Sequence, residues 1–176
     1  AMVLPVGVPL PTGELIHPRA EPEIVFVMRD RLAGPGITAA TAMQAVELVY
    51  GGIEIIDSRY RDFSFTLADA VADNSSSARF VLGPIGRGVD GLDLSFESCL
   101  LQVDGQVVDS ATGAAVQGHP AEALALAAND LGARGLAIEP GWLVLTGGMT
   151  DAVPIPPGTE VAAEFSTLGT ITVAGG

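Results

Sequence analysis

The stretch Glu21-Pro22-Glu23-Ile24-Val25-Phe26-Val27-Met28 decides how the chain is read. It is a run of β-favouring apolar residues that opens on two carboxylates two positions apart. In a strand, alternate side chains share a face, so Glu21 and Glu23 point the same way. Val25 and Val27 continue that face, and Ile24, Phe26 and Met28 line the other. Two like charges at the mouth of a buried strand repel unless something positive lies between them. A divalent cation that prefers oxygen ligands is the simplest candidate.

Glu54 strengthens that reading. It is flanked by Ile53, Ile55 and Ile56, a short strand whose backbone is expected to be buried. A buried carboxylate needs a partner or a metal. The nearest cation in sequence is Arg59. With Glu21, Glu23 and Glu54 as ligands, a six-coordinate Mg²⁺ or Mn²⁺ keeps about three positions for water or a bidentate ligand such as a 2-oxo acid. The competing reading makes Glu21 and Glu23 solvated residues of an edge strand, where acidic side chains usually lie.

Composition narrows the alternatives. The 176 residues suffice for one domain with a real core, and 48% are hydrophobic. A net charge of −13 argues against nucleic acid and against anionic membrane surfaces. No apolar run approaches the roughly 20 residues needed to cross a bilayer. The first residues are Pro-rich and do not read as a signal peptide. The single cysteine, Cys99, cannot form an internal disulfide, which points to a reducing, cytoplasmic setting. Every cation is an arginine. Without lysine, Schiff-base chemistry and a phosphate-binding P-loop are excluded within this chain.

Along the chain, residues 1–16 read as an extended arm, and a strand follows from about Ala20 to Arg29. Thr38 is a helix N-cap, and Ala42, Met43, Val46, Val49 and Tyr50 recur at helical spacing up to Gly51-Gly52. Residues 71–77 form a polar loop, followed by a strand from Arg79 to Leu82. Asp104-Gly105 marks a hairpin. Gly118-His119-Pro120 opens a helix that Gly135 ends. Trp142 to Leu145 is a strand running into Thr146-Gly147-Gly148, and two last strands flank Leu168-Gly169. The expected fold class is α+β, mainly β: a mixed β-sandwich or roll with a few outer helices, forming one domain over residues 1–176.

Other motifs carry less. Gly86-Arg87-Gly88-Val89-Asp90-Gly91 has the letters of a dinucleotide fingerprint, but no helix pattern follows it. His119 reads as structural, and His17 lies four residues before Glu21. Residues 71–77 are either a capped turn or a carboxylate-binding loop. Thr146-Gly147-Gly148 is either a plain turn or a place where backbone closely approaches a ligand.

Three segments together carry a resemblance: Ile16-His17-Pro18-Arg19-Ala20-Glu21-Pro22-Glu23-Ile24, Glu54-Ile55-Ile56-Asp57-Ser58-Arg59, and Val71-Ala72-Asp73-Asn74-Ser75-Ser76-Ser77. The chain resembles the fumarylacetoacetase superfamily, in the branch of 2-hydroxypentadienoate hydratases and 4-oxalocrotonate decarboxylases. The resemblance implies the C-terminal fold of that superfamily. It makes Glu21, Glu23 and Glu54 the metal ligands, with Mg²⁺ or Mn²⁺ as cofactor, and Asn74, Ser76, Thr146 and Gly147 substrate-binding. It further implies a homo-oligomer, in some cases complexed with a paralogous hydratase. Relatives also carry an N-terminal, mostly helical region that supplies a catalytic lysine, and this chain is expected to begin after it.

Ser58-Arg59-Tyr60-Arg61-Asp62-Phe63-Ser64-Phe65 is closer to the decarboxylases. The implied activity is decarboxylation of 2-oxohexenedioate (4-oxalocrotonate) to 2-hydroxypenta-2,4-dienoate, with the metal as electron sink. Tyr60, Phe63 and Phe65 are expected to shield the departing carboxylate. The alternatives are hydration of 2-hydroxypenta-2,4-dienoate and a non-catalytic, metal-binding partner subunit.

Overall fold

β1 (Arg19–Met28) is the strand on which the sheet is built, and it is antiparallel to all three of its neighbours. The computed structural model describes residues 2–176. β2 (Val46–Ile56) pairs with β1 along its whole length, from Arg19 opposite Ile56 to Val27 opposite Leu48. On the far side of β2 lies β3 (Ser77–Leu82). On the other edge of β1, β6 (Leu143–Leu145) covers Val25 to Val27, and β7 (Val153–Pro154) covers Arg19 and Ala20.

Between β6 and β7, β1 has a loop for a neighbour rather than a strand. Thr146 and Met149 donate backbone N–H groups to the carbonyls of Ile24 and Pro22. Pro22 sits at this place. In an antiparallel strand a residue's N–H and C=O point to the same side, so its missing donor faces the loop and costs no bond to β2. A proline is thereby accommodated in an interior strand.

The second sheet has the order β5-β4-β8-β9, built from β4 (Ser98–Val103), β5 (Gln106–Thr112), β8 (Glu160–Phe165) and β9 (Gly169–Ala174). Asp104 and Gly105 turn the β4–β5 hairpin with φ of +49° and +77°, as a two-residue primed turn requires. The sheets pack through side chains such as Ile24, Phe26, Ile53, Ile55, Leu101, Phe165 and Ile171. Three helices lie outside them. α1 (Ala39–Gln44) and α2 (Leu67–Ala72) carry capping boxes on Thr38 and Thr66. α3 (Pro120–Ala133) is capped by His119, whose Nδ1 accepts the Ala121 N–H, which is the structural role expected of that histidine. The architecture is the expected sandwich with outer helices.

Four expectations are corrected. The helix after Thr38 ends at Gln44, and Val46 to Tyr50 belong to β2. The β-branched Val46 and Val49 satisfy a helical period, but pairing along β1 outweighs a short helix. Gly51 and Gly52 are not a helix stop. They lie within β2 because a Cβ on Gly51 would meet the Phe165 ring at 2.6 Å, and one on Gly52 would meet Val25 Cγ2 at 2.7 Å. Residues 71–77 are not one loop either: Val71 and Ala72 close α2, and Asn74–Ser76 form a single 3₁₀ turn. The arm, finally, is packed. Leu4 and Leu10 are buried in the core, and Leu10 bridges to Gly175 beside β9.

Candidate metal centre

The register of β1 on β2 assembles the acidic cluster. Glu21 stands directly opposite Glu54, and Glu23 is opposite Gly52, two positions along on the same face. One oxygen from each of Glu21, Glu23 and Glu54 can be chosen such that all three lie within 4.8 Å of one another. Glu23 is buried at 1% exposure, and the other two are half-buried.

Among the described residues, no ion pair reaches any of the three. Arg59, the cation nearest Glu54 in sequence, is turned to Asp73, with Nε 3.1 Å from Oδ1. Among the described residues, the cluster therefore has no ion-paired partner for its charge. Burial first, and then Glu54 and Asp151, push the Glu21 carboxyl up to about 7, against a smaller opposing pull from Arg19. Burial and the Glu54 charge likewise drive Glu23 well above the usual carboxylate range. Such groups favour a bound proton or a bound cation over a bare charge. An all-oxygen, carboxylate-rich set fits a hard divalent ion.

Two neutral donors orient the ligands. The Gly147 N–H donates to Glu23 Oε2 at 2.8 Å, and the Ser77 hydroxyl donates to Glu54 Oε1. Gly147 reaches Glu23 because the chain leaves β6 with φ of +106° there, a backbone conformation that favours glycine. Gly148 is also close: a Cβ there would lie 3.1 Å from Glu21 Oε2.

A cavity of about 520 Å³ opens beside Glu23 and Glu54. Asn74, Thr146 and Gly147 line it. The Thr146 hydroxyl is engaged with the Ile24 carbonyl at 2.9 Å. Ser76 is elsewhere: it is buried, and its hydroxyl donates to Asp73 Oδ2 at 3.2 Å. Its neighbours Ser75 and Ser77 line the cavity instead. Phe80, which pairs with Glu54 across β2 and β3, and Leu145 provide apolar wall. Sequence reasoning missed Phe80 and Leu145, and singled out neither Ser75 nor Ser77 within its candidate carboxylate-binding loop. Strand alternation about Glu54 could have found Phe80 once β3 was known to pair with β2.

The aromatic shield is corrected. The described residues lining this cavity include none of Tyr60, Phe63 and Phe65. Phe63 is stacked on His17 at 4.7 Å between centroids, with Arg19 over its ring at 4.2 Å, and Tyr60 lies against Phe65. His17 does not line the cavity either, since its Nε2 is 2.8 Å from the Ser58 carbonyl oxygen. A larger groove, about 620 Å³, runs between Ile16–Arg19 and Pro154–Pro157. The described residues lining it include no acidic side chain.

Residues 3–174 match the family model described as the fumarylacetoacetate (FAA) hydrolase C-terminal region. The chain belongs to this family. Among members of the fumarylacetoacetate hydrolase family, it is 41% identical over 169 residues to a 4-oxalocrotonate decarboxylase of Pseudomonas sp. (strain CF600), covering 96% of this chain and 64% of that protein. It is 39% identical over 167 residues to a 2-hydroxyhexa-2,4-dienoate hydratase of Comamonas testosteroni, covering 95% and 63%. The solved structure of 4-oxalocrotonate decarboxylase from Pseudomonas putida G7, complexed with magnesium and adipate, superposes with a TM-score of 0.95 at 37% identity. That superposition covers 98% of this chain and 66% of the other. The chain thus spans just under two thirds of the length of these relatives.

Proposed function

We propose that the chain carries the metal centre of a carbon–carbon lyase, a 4-oxalocrotonate decarboxylase, with Glu21, Glu23 and Glu54 holding Mg²⁺ or Mn²⁺. The observation that carries this reading is the convergence of three carboxylates, none of them in an ion pair, at the edge of a cavity. Its support from relatives is the similarity to decarboxylases and to a magnesium-complexed decarboxylase structure.

Held by Glu21, Glu23 and Glu54, such an ion would supply Lewis-acid polarisation of the 2-oxo group of a dicarboxylic 2-oxo acid. The chain's own residues hold and frame the site. Glu21, Glu23 and Glu54 balance the charge. Gly147 and Ser77 hold two of those carboxylates in place, fixing the site before the ligand arrives. Asn74 and Ser75 offer hydrogen bonds to the ligand's oxygens, and Phe80 and Leu145 keep water from part of the wall. The proposal carries with it a homo-oligomer, in some settings with a paralogous hydratase, and a cytoplasmic location. The one thiol, Cys99, is buried and pushed up to about 12 by burial and the nearby Glu97 and Glu164, in keeping with a packing role.

Hydration of 2-hydroxypenta-2,4-dienoate is the second reading, favoured by the 39% identity to a hydratase. Offering 2-oxohexenedioate and 2-hydroxypenta-2,4-dienoate separately to the protein with Mg²⁺, while following CO₂ and loss of the diene, decides between them. CO₂ release from the first supports the decarboxylase, and turnover of the second alone supports the hydratase. Metal binding with turnover of neither, even with the N-terminal region of the relatives restored, makes the chain a non-catalytic metal-binding subunit.

A further inference from the structure

Asp73 to Ser77 contains the most unusual backbone near the centre. Asn74, Ser75 and Ser76 all have positive φ, at +53°, +52° and +62°. L-residues visit this region singly and at a cost, so a run of three persists only where its surroundings over-determine it. The turn has a clear geometric result. Asn74 and Ser75 are presented to the cavity, Ser76 faces inward, and Ser77 emerges at the start of β3 with its hydroxyl on Glu54.

The surrounding grip comes from Asp73. Its side chain is 4% exposed. Oδ2 accepts from the Ser76 hydroxyl at 3.2 Å, from the Ser58 hydroxyl at 3.2 Å and from the Arg59 N–H at 3.1 Å. Oδ1 faces Arg59 Nε at 3.1 Å. The Asp73 carbonyl accepts from Ser76 N and from Arg59 Nη1, at 2.9 and 3.1 Å. The far end of the turn is tied as well, because the Ser76 carbonyl accepts the Asp57 N–H at 2.7 Å. Asp73 itself is not part of the cavity wall.

We propose that Asp73 is a positioning residue: its buried carboxylate clamps the left-handed Asn74–Ser76 turn so that Asn74 and Ser75, not Ser76, meet the ligand. The clamp sets ligand recognition and leaves the metal ligands largely to themselves, since Glu21 and Glu23 are carried by β1. This rests on reading the centre as a 2-oxo acid site. Asparagine at position 73 keeps the shape but replaces one acceptor oxygen by a donor, which cannot serve two hydroxyls and two N–H groups together.

The test uses the full-length protein and its Asp73→Asn variant. Mn²⁺ affinity, pyruvate affinity in the presence of Mn²⁺, and amide hydrogen exchange are measured on both. The expected result is Mn²⁺ binding within about threefold of the parent, pyruvate binding weaker by roughly tenfold or more, and faster exchange at residues 74–77 but not in β1. Pyruvate affinity within about twofold of the parent overturns the proposal. So does a fall in Mn²⁺ affinity in step with that for pyruvate, which marks a general structural support. If Asp73→Asn does not fold, Arg59→Gln, which removes one partner at a half-exposed position, is judged by the same criteria. If the parent binds Mn²⁺ but no pyruvate, the reading of the centre fails. The clamp is then decided by exchange at residues 74–77 alone: faster exchange sustains it and unchanged exchange overturns it.

Discussion

Glu21 and Glu54 face each other as direct cross-strand partners on β1 and β2. Like charges in that relation destabilise a sheet. Here a third carboxylate, Glu23, joins them on the same face. The arrangement weakens the free protein and makes sense when a cation bridges it.

Glu23→Gln tests that bargain directly. The substitution keeps the shape and an acceptor for the Gly147 N–H, but removes the most buried charge. Mn²⁺ affinity is expected to fall by about 10- to 100-fold. The metal-free protein is expected to melt higher than the parent, because a desolvated carboxylate has gone. Calorimetric titration and thermal melts with a chelator read the two effects, and unchanged Mn²⁺ affinity would remove Glu23 from the ligand set.

The pH dependence of stability should run opposite to that of a protein held by salt bridges. Burial and the neighbouring carboxylates push the Glu21 carboxyl up to about 7, from 4.5 for an unperturbed glutamate. The folded state therefore binds the proton more tightly, and stability falls as pH rises between those values. The stabilisation is fully present below about pH 4.5 and is lost through about pH 7, a change on the order of 2–3 kcal/mol for this group. Chelator-treated protein should melt higher at pH 5.5 than at pH 8. Saturating Mg²⁺ should reverse the order, because the ion needs deprotonated ligands.

Gly52→Ala probes the packing opposite Glu23. Its methyl group would meet Val25 Cγ2 at 2.7 Å and the Val81 carbonyl oxygen at 3.3 Å. Overpacking of this kind costs about 1–3 kcal/mol. Urea unfolding should show the loss with the slope unchanged, and a neutral result would mean that β1 and β2 can part freely at this point.

Asp57→Ala should release the arm. The carboxylate accepts the backbone N–H groups of Ile16 and His17 at 2.7–3.0 Å and is 7% exposed. Leaving these donors unpaired costs about 1–3 kcal/mol. Limited proteolysis should then cut in the region of residues 11–17 well before the sheets, whereas cleavage at the parent's rate would show that Leu4 and Leu10 suffice to dock the arm.

The acidic cluster was legible in the letters because strand alternation puts Glu21 and Glu23 on one face, and because three isoleucines enclose Glu54. Their meeting was not, since the Glu21–Glu54 register depends on which strands pair. The helix boundary failed for a related reason: Val46, Val49 and Tyr50 fit a helical period, and only the partner strand β1 breaks the tie. The buried arm depends on Leu10 reaching β9, more than 150 positions away in sequence. Ser76 was misplaced because three successive positive φ values reverse which hydroxyl faces the cavity, and nothing in Asn-Ser-Ser-Ser announces such a reversal. The aromatic rings were read as a shield from the decarboxylase-like Ser58–Phe65 stretch, and the fold instead stacks Phe63 on His17 and sets Tyr60 against Phe65.

Met2 sits on the rim of the carboxylate cavity, its carbonyl bonded to the Phe80 N–H at 2.9 Å. Anything fused upstream of that methionine emerges at the doorway to the acidic cluster. An oligohistidine tag placed there would scavenge cations beside the very oxygens under study and distort every titration. A tag appended to the other terminus avoids the doorway but burdens the pairing of Leu10 with Gly176. Cleavable fusions, removed before metal is added, are therefore the safer preparation.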